Sequence, residues 1–273
     1  MRDHGYVVGE NIELNIRHTE GVKSRAPALA DELIALKPDV LVGVEEVAVA
    51  MKAKTSTIPI VLTAASDPVA AGLVQSLARP GTNVTGLANL WDELLAKHVE
   101  LLVDLVPKAK LIAYFADATY QDPERFERIV RTAATAKGVS VIVLSVGNLD
   151  DLRRAFTALE SRRPQGLVVL TTGIFGAHLD EIIRVAQRLR LPAIWGLASF
   201  ADRGGLVSLG PNFLETFRYA AKFVDRILKG TKPADLPVEQ WGKFALVLNL
   251  KKAKAIGLKI PLSVLLRADR VIE

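Results

Sequence analysis

Chemistry at neutral pH needs nucleophiles, bases or metal ligands brought together, and this sequence supplies them sparsely. It has no cysteine, which removes disulfides and thiolate metal sites. The histidines, His4, His18, His98 and His178, are scattered, and no two have the spacing that would set a pair of zinc ligands on one helix face. Glu45-Glu46 and Asp150-Asp151 are neighbours in sequence, so each pair of carboxylates diverges rather than sharing a proton. No phosphate loop, GxGxxG fingerprint or GxSxG elbow is present. The residues therefore point to binding without catalysis: no enzyme, no cofactor and no metal site is expected.

The candidates for binding are polar and aromatic residues at the ends of apolar runs, because open parallel sheets take ligands outside the carboxyl ends of their strands. Ser66-Asp67 follows one such run and precedes Pro68. A helix opened there would offer free N–H groups to a carboxylate, or Asp67 would cap its own helix and no more. Glu45 follows another run, where its charge would favour a cationic ligand group or help a helix dipole. Thr85, Gly86 and Asn89 lie in an extended stretch and could touch a ligand or form a hinge. Asp117, Thr171 and Thr172 end later runs. Trp195 and Phe200, with Gly196 between them, could stack on a planar solute or pack a core.

The elements that must position these residues alternate. Residues 11–17 place Ile12, Leu14 and Ile16 on one face and predict a strand. Further strands are predicted at 40–44, 59–64, 111–115, 139–144, 166–171, 192–195, 206–209 and 244–248, and residues 83–87 are expected to be extended. Helices are predicted at 22–36, 45–54, 67–77, 92–105, 123–137, 149–161, 177–189, 213–228 and 251–256. Short all-apolar strands alternating with helices predict parallel sheets covered on both faces. The count of units is too large for one uninterrupted sheet, and residues 83–90 break the rhythm, so two α/β lobes are expected.

Composition agrees with a globular chain. Of 273 residues half are hydrophobic, and the net charge of +5 is spread among interleaved acids, which predicts solvated helix faces rather than a nucleic-acid surface. No window holds the roughly 18 apolar residues of a membrane span, and residues 1–10 lack the apolar core of a signal peptide.

Three stretches together resemble a known family. They are Thr55–Val61 continuing through Ser66-Asp67-Pro68-Val69, Gly72-Leu73-Val74, Ala78–Gly81 and Asn83–Leu87; Leu191–Gly196 with Phe200, Gly204-Gly205-Leu206 and Gly210-Pro211; and Ile227–Gly230, Pro233–Gln240 and the tail from Leu262. The chain resembles ABC transporter substrate-binding proteins of the tryptophan-binding (TrpX-like) kind along nearly its whole length. The resemblance implies an α/β fold of two doubly wound parallel-sheet lobes, the type I periplasmic-binding-protein kind, closing on a small solute in an interlobe cleft. It implies a first lobe of residues 1–87 plus about 207–230, and a second of 88–206 plus about 231–273. The implied function is capture of an amino acid or related solute for an ABC permease served by a separate ATPase subunit. Contact with the membrane would be only through the permease, and the location periplasmic or at the cell surface. A sensory or regulatory module of the same fold is the alternative.

The family's opening strand precedes the motif His4–Ile12, so the resemblance also implies a first lobe lacking its first strand, N-terminally truncated and less stable than the second. Relatives usually carry a small or hydroxyl residue where Glu45 stands. Many show Pro-Asp at Thr171-Thr172 and Asn-Pro at Ala116-Asp117, so the polarity of the cleft differs here.

Overall fold

A computed structural model describes all residues except Gly21, Gln121 and Thr171. In chain order the elements are α1 (Ala26–Ala35), β1 (Leu41–Val44), α2 (Glu45–Lys54), β2 (Ile60–Ala64), β3 (Val84–Asn89), α3 (Trp91–Leu105), β4 (Leu111–Asp117), α4 (Pro123–Ala136), β5 (Ser140–Val146) and α5 (Leu149–Arg162). There follow β6 (Leu167–Val169), α6 (Gly173–Ala177), α7 (Leu179–Arg188), β7 (Ala193–Trp195), β8 (Val207–Gly210), α8 (Phe213–Leu228), β9 (Glu239–Trp241), β10 (Ala245–Asn249), α9 (Leu250–Ile256), α10 (Leu262–Leu265) and β11 (Arg270–Ile272). Local chemistry sets many of the boundaries. Asp122 and Asn148 accept the N–H groups of Arg125 and Asp151 and so cap α4 and α5. Asn249 caps α9, which Gly257 ends at a φ of 73°.

The chain divides into two units, Met1–Leu90 with Phe213–Gly242 and Trp91–Asn212 with Lys243–Glu273. Unit 1 holds a four-stranded parallel sheet in the order β1-β2-β3-β9. Its strands alternate inward-facing residues between two layers. Ile60, Leu62 and Val84 meet Ala30, Ala48 and Met51 of α1 and α2 on one face. Val61 and Leu87 meet Ala220, Phe223 and Ile227 of α8 on the other.

Unit 2 holds a seven-stranded sheet in the order β11-β10-β8-β7-β6-β4-β5. All its pairs are parallel except β10 with β8. One face, with Ile112, Tyr114, Val168 and Ile194, packs on Leu94, Leu95, Val99 and Leu102 of α3 and on Val130 of α4. On the other face Phe115 stacks on Phe175 of α6 at 5.7 Å and meets Phe156 of α5 at 6.3 Å.

Three expectations are corrected. Residues 11–17 are not a strand: a single bridge from Val8 to Ile12 is the local pairing, and Leu14 and Ile16 are exposed. Alternation alone cannot make a strand, since its N–H and C=O groups need a neighbouring strand. Residues 67–77 form turns, not a helix. Asp67 does accept the N–H of Ala70, but Leu73 and Val74 both donate to the carbonyl of Pro68 and Gly72 turns at a φ of 67°. Residues 207–210 belong to unit 2, where β8 lies between β7 and β10; residues 231–242 belong to unit 1, where β9 pairs with β3. The helix expected over 177–189 is α7, Leu179–Arg188, with the short α6 ending at Ala177 before it.

Candidate ligand-binding site

In unit 1 the parallel strands bring their carboxyl ends to one edge of the sheet, and this is where Glu45, Ser66, Asp67 and Asn89 stand. Glu45 is the first residue of α2, directly after β1. Its Oε2 accepts the backbone N–H of Ser66 at 2.7 Å and of Asp67 at 3.0 Å. Burial pushes the Glu45 carboxyl above its ordinary pKa, and the two amide donors pull it back only in part. The two N–H groups expected to receive a ligand carboxylate are thus taken by a carboxylate of the chain itself.

Asn89 ends β3 and is 4% exposed, yet neither atom of its side-chain amide has a hydrogen-bond partner among the described residues. Its backbone N–H donates to the carbonyl of Ala65, the residue before Ser66. Thr85 and Gly86 have structural duties instead. The Thr85 hydroxyl donates to the carbonyl of Leu236 at 2.7 Å. A Cβ on Gly86 would sit 2.3 Å from the carbonyl oxygen of Leu62, so only glycine lets β3 lie against β2 here.

Unit 2 presents its own strand ends. At the end of β4, Asp117 is 2% exposed; its Oδ1 accepts both the N–H and the hydroxyl of Thr119, while Oδ2 is buried without a partner among the described residues. Thr172 stands at the start of α6, buried, with its hydroxyl unpartnered as well. Thr171 lies outside the described residues.

Trp195 is a packing residue. Its indole meets Phe200 edge-on at 6.2 Å and lies so close to Gly205 that a Cβ there would be 2.9 Å from Nε1. Phe200 is buried with it. Gly196 holds its carbonyl against Gly210, where a Cβ would be 1.9 Å away. These three residues build the corner after β7, where the buried Trp195 Nε1–H has no partner among the described residues.

Three features escaped sequence reasoning. Thr63 and Ser208 carry buried hydroxyls without a partner among the described residues; both sit in apolar runs where a lone hydroxyl gives no periodic signal. The third is an open cavity of about 300 Å³ in unit 1, lined by Asp3, His4, Glu215, Arg218, Tyr219, Lys222 and Trp241. There Tyr219 meets Trp241 edge-on, Lys222 lies 3.8 Å above the Tyr219 ring, and Glu239 accepts from both Tyr219 and Lys222. Among the described residues no cluster of metal-ligating side chains occurs.

The arrangement is a set of buried, partly unsatisfied polar groups at strand ends. Residues 1–272 match the family model described as ABC transporter substrate binding protein. The chain belongs to that family. It is a substrate-binding protein of an ABC transporter, and its family is one of binding proteins, not enzymes.

This substrate-binding protein is 24% identical over 260 residues to the tyrosine-binding protein of Clostridioides difficile (strain R20291), covering 95% of its own length and 74% of the relative's. A conserved domain protein of Vibrio cholerae superposes with a TM-score of 0.90 at 30% identity, covering 99% of this chain and 90% of that one. An ABC domain from Streptococcus pneumoniae in complex with L-Trp superposes with a TM-score of 0.87 at 25% identity, with coverage of 96% and 90%. The α/β architecture of two doubly wound units is the one these neighbours share. Among the described residues no helix is long and apolar enough to cross a membrane.

Proposed function

We propose that this substrate-binding protein captures an amino acid or a closely related small solute through buried polar residues at strand ends; the candidate in unit 1 is Asn89, and unit 2 by itself offers Asp117 and Thr172. The observation that carries the reading is their unmet hydrogen-bonding capacity: an orphaned buried amide, carboxylate oxygen and hydroxyl. Buried polar atoms are almost always paired, and an orphan is costly unless a partner arrives. A solute with an ammonium, a carboxylate and an apolar body supplies such partners. The tyrosine-binding relative and the neighbour solved with L-Trp support an amino-acid-like class. The protein would act at the periplasmic or outer face of the cell, handing solute to a permease driven by a separate ATPase subunit, and solute would shift its population toward the form the permease reads.

Calorimetric titration of the protein with a panel of amino acids and their amines tests this. One solute is expected to bind with release of the unchanged compound, and Asn89→Ala and Asp117→Ala are each expected to weaken it at least tenfold. A bound solute indifferent to both substitutions would remove these residues from the site.

A further inference from the structure

Glu45 decides which charge unit 1 accepts. Backbone N–H groups such as those of Ser66 and Asp67, two in succession and pointing the same way, form a natural receptor for an anion. Here one carboxylate oxygen of Glu45 already holds both, at 2.7 and 3.0 Å, across 21 residues of sequence. A second carboxylate brought to the same amides would have to displace the first, and beside it would meet like charge in a half-buried setting. The other oxygen, Oε1, has no protein partner among the described residues. A carboxylate oxygen with a free lone pair is suited to an ammonium. The neighbouring Asn89, 4% exposed and with both amide atoms unpartnered, is an independent sign that a polar ligand group completes this end of the sheet.

We infer that Glu45 is a specificity-determining residue: it fills the Ser66–Asp67 anion receptor from within, so that unit 1 binds the ammonium of the solute and rejects its carboxylate. The inference rests on the solute-binding reading above and narrows it. The carboxylate, where a solute has one, is recognised elsewhere or not required. Amines lacking a carboxylate are therefore in the substrate class, and acids lacking an ammonium are outside it. The selectivity works by repulsion as much as attraction, since a negative group already in place excludes another.

Two measurements test it. In the first, L-tryptophan, L-tyrosine and L-leucine are each titrated beside the decarboxylated amine and the deaminated acid. For the wild-type protein the amine is expected to bind within about threefold of the amino acid, and the acid at least tenfold more weakly. In Glu45→Ser, which empties the receptor, the acid is expected to gain at least tenfold on the amine. An acid that binds as well as the amine, or a ratio unmoved by the substitution, overturns the inference.

In the second, acetate is titrated into the wild-type protein and into Glu45→Ala while the amide resonances of Ser66 and Asp67 are followed. Saturable shifts are expected in the variant and none in the wild type. Equal responses in both, or in neither, overturn it. Glu45→Gln keeps an acceptor for the two amides and so guards against a folding defect; it should lose the preference for amines while its fold is retained. Should no solute of the panel bind any form while acetate still shifts the variant's amides, the solute class proposed above fails and the internally filled receptor stands.

Discussion

The two sheets are made from the same alternation of strand and helix, yet they end differently. In unit 2 the outer strand β5 is covered by α4 and α5, and at the opposite edge Arg270 of β11 makes a two-pronged ion pair with Asp202 at 2.7 Å. In unit 1 β1 is the outermost strand, Val42 on it is 41% exposed, and the apolar residues Val8, Leu14 and Ile16 find no partner strand. An open edge leaves backbone N–H and C=O groups to water and gives its apolar residues little to pack on. Both sheets have edge strands, β1 and β9 in unit 1 and β5 and β11 in unit 2. The contrast teaches that equal local patterning does not give equal local stability, because what packs on an edge differs, two helices on β5 against chiefly α2 on β1.

Several experiments would break or sharpen this contrast. The largest effect is expected in the unit 2 core. Phe115→Ala removes a fully buried ring that meets two others and should lower stability by about 3–5 kcal/mol, read as a shift in the denaturant midpoint of the Trp195 signal. A shift below about 1 kcal/mol would deny unit 2 its tight core.

Next comes a pH effect confined to the same unit. His98 is fully buried, its Nε2 donates to the carbonyl of Leu209 at 2.6 Å, and burial pushes its pKa down to about 4, the hydrogen bond opposing this. A folded-state pKa below the unfolded 6.5 means stability that is present above pH 6.5 and lost as the pH falls toward 4. The loss should amount to about 3 kcal/mol. His98→Gln, which can still donate to Leu209 but does not titrate, should flatten the pH dependence of unfolding between pH 7 and 4; an unchanged slope would place the acid sensitivity elsewhere.

Amide exchange compares the units directly. The amides of β1 are expected to exchange at least tenfold faster than those of β5, the edge strand of unit 2, a difference of about 1.4 kcal/mol or more in opening free energy. Equal protection would overturn the contrast. Smaller still, Leu14→Ser and Ile16→Ser should change stability by less than about 0.5 kcal/mol, because both side chains are already in water.

The smallest effect has a defined sign. Because burial raises the Glu45 pKa, its contribution to stability is full below the ordinary carboxylate value and declines as the pH rises through the folded one. Glu45→Gln should therefore be no less stable than wild type at pH 7, with the advantage vanishing at pH 4. A clear loss at pH 7 would show that the charge itself strengthens the bonds to Ser66 and Asp67 by more than its burial opposes.

What the sequence determined by itself was everything that short-range chemistry encodes. The apolar runs at β1, β2, β4, β6 and β7, the helices between them and caps such as those on α4, α5 and α9 all follow from residues a few positions apart, because capping and periodicity act locally. The family, too, was legible in motifs spread along the chain, and with it the strand ends where Asn89, Asp117 and Thr172 stand.

The tertiary structure decided which segments become neighbours. Residues 11–17 have a strand's pattern and no strand to pair with. Asp67 accepts the N–H of Ala70 as a cap would, yet no helix follows: Leu73 is drawn into the core and its carbonyl is held by Lys52 and Thr82. β8 and β9 could not be assigned to a sheet from their own residues, since pairing is chosen by the strands already in place. Glu45 showed the same limit most sharply: its charge was visible in the sequence, but that it answers the amides of Ser66 and Asp67 depends on a contact the chain makes only when folded. Long-range contacts are selected by the whole set of packed surfaces, and no local window of sequence contains that choice.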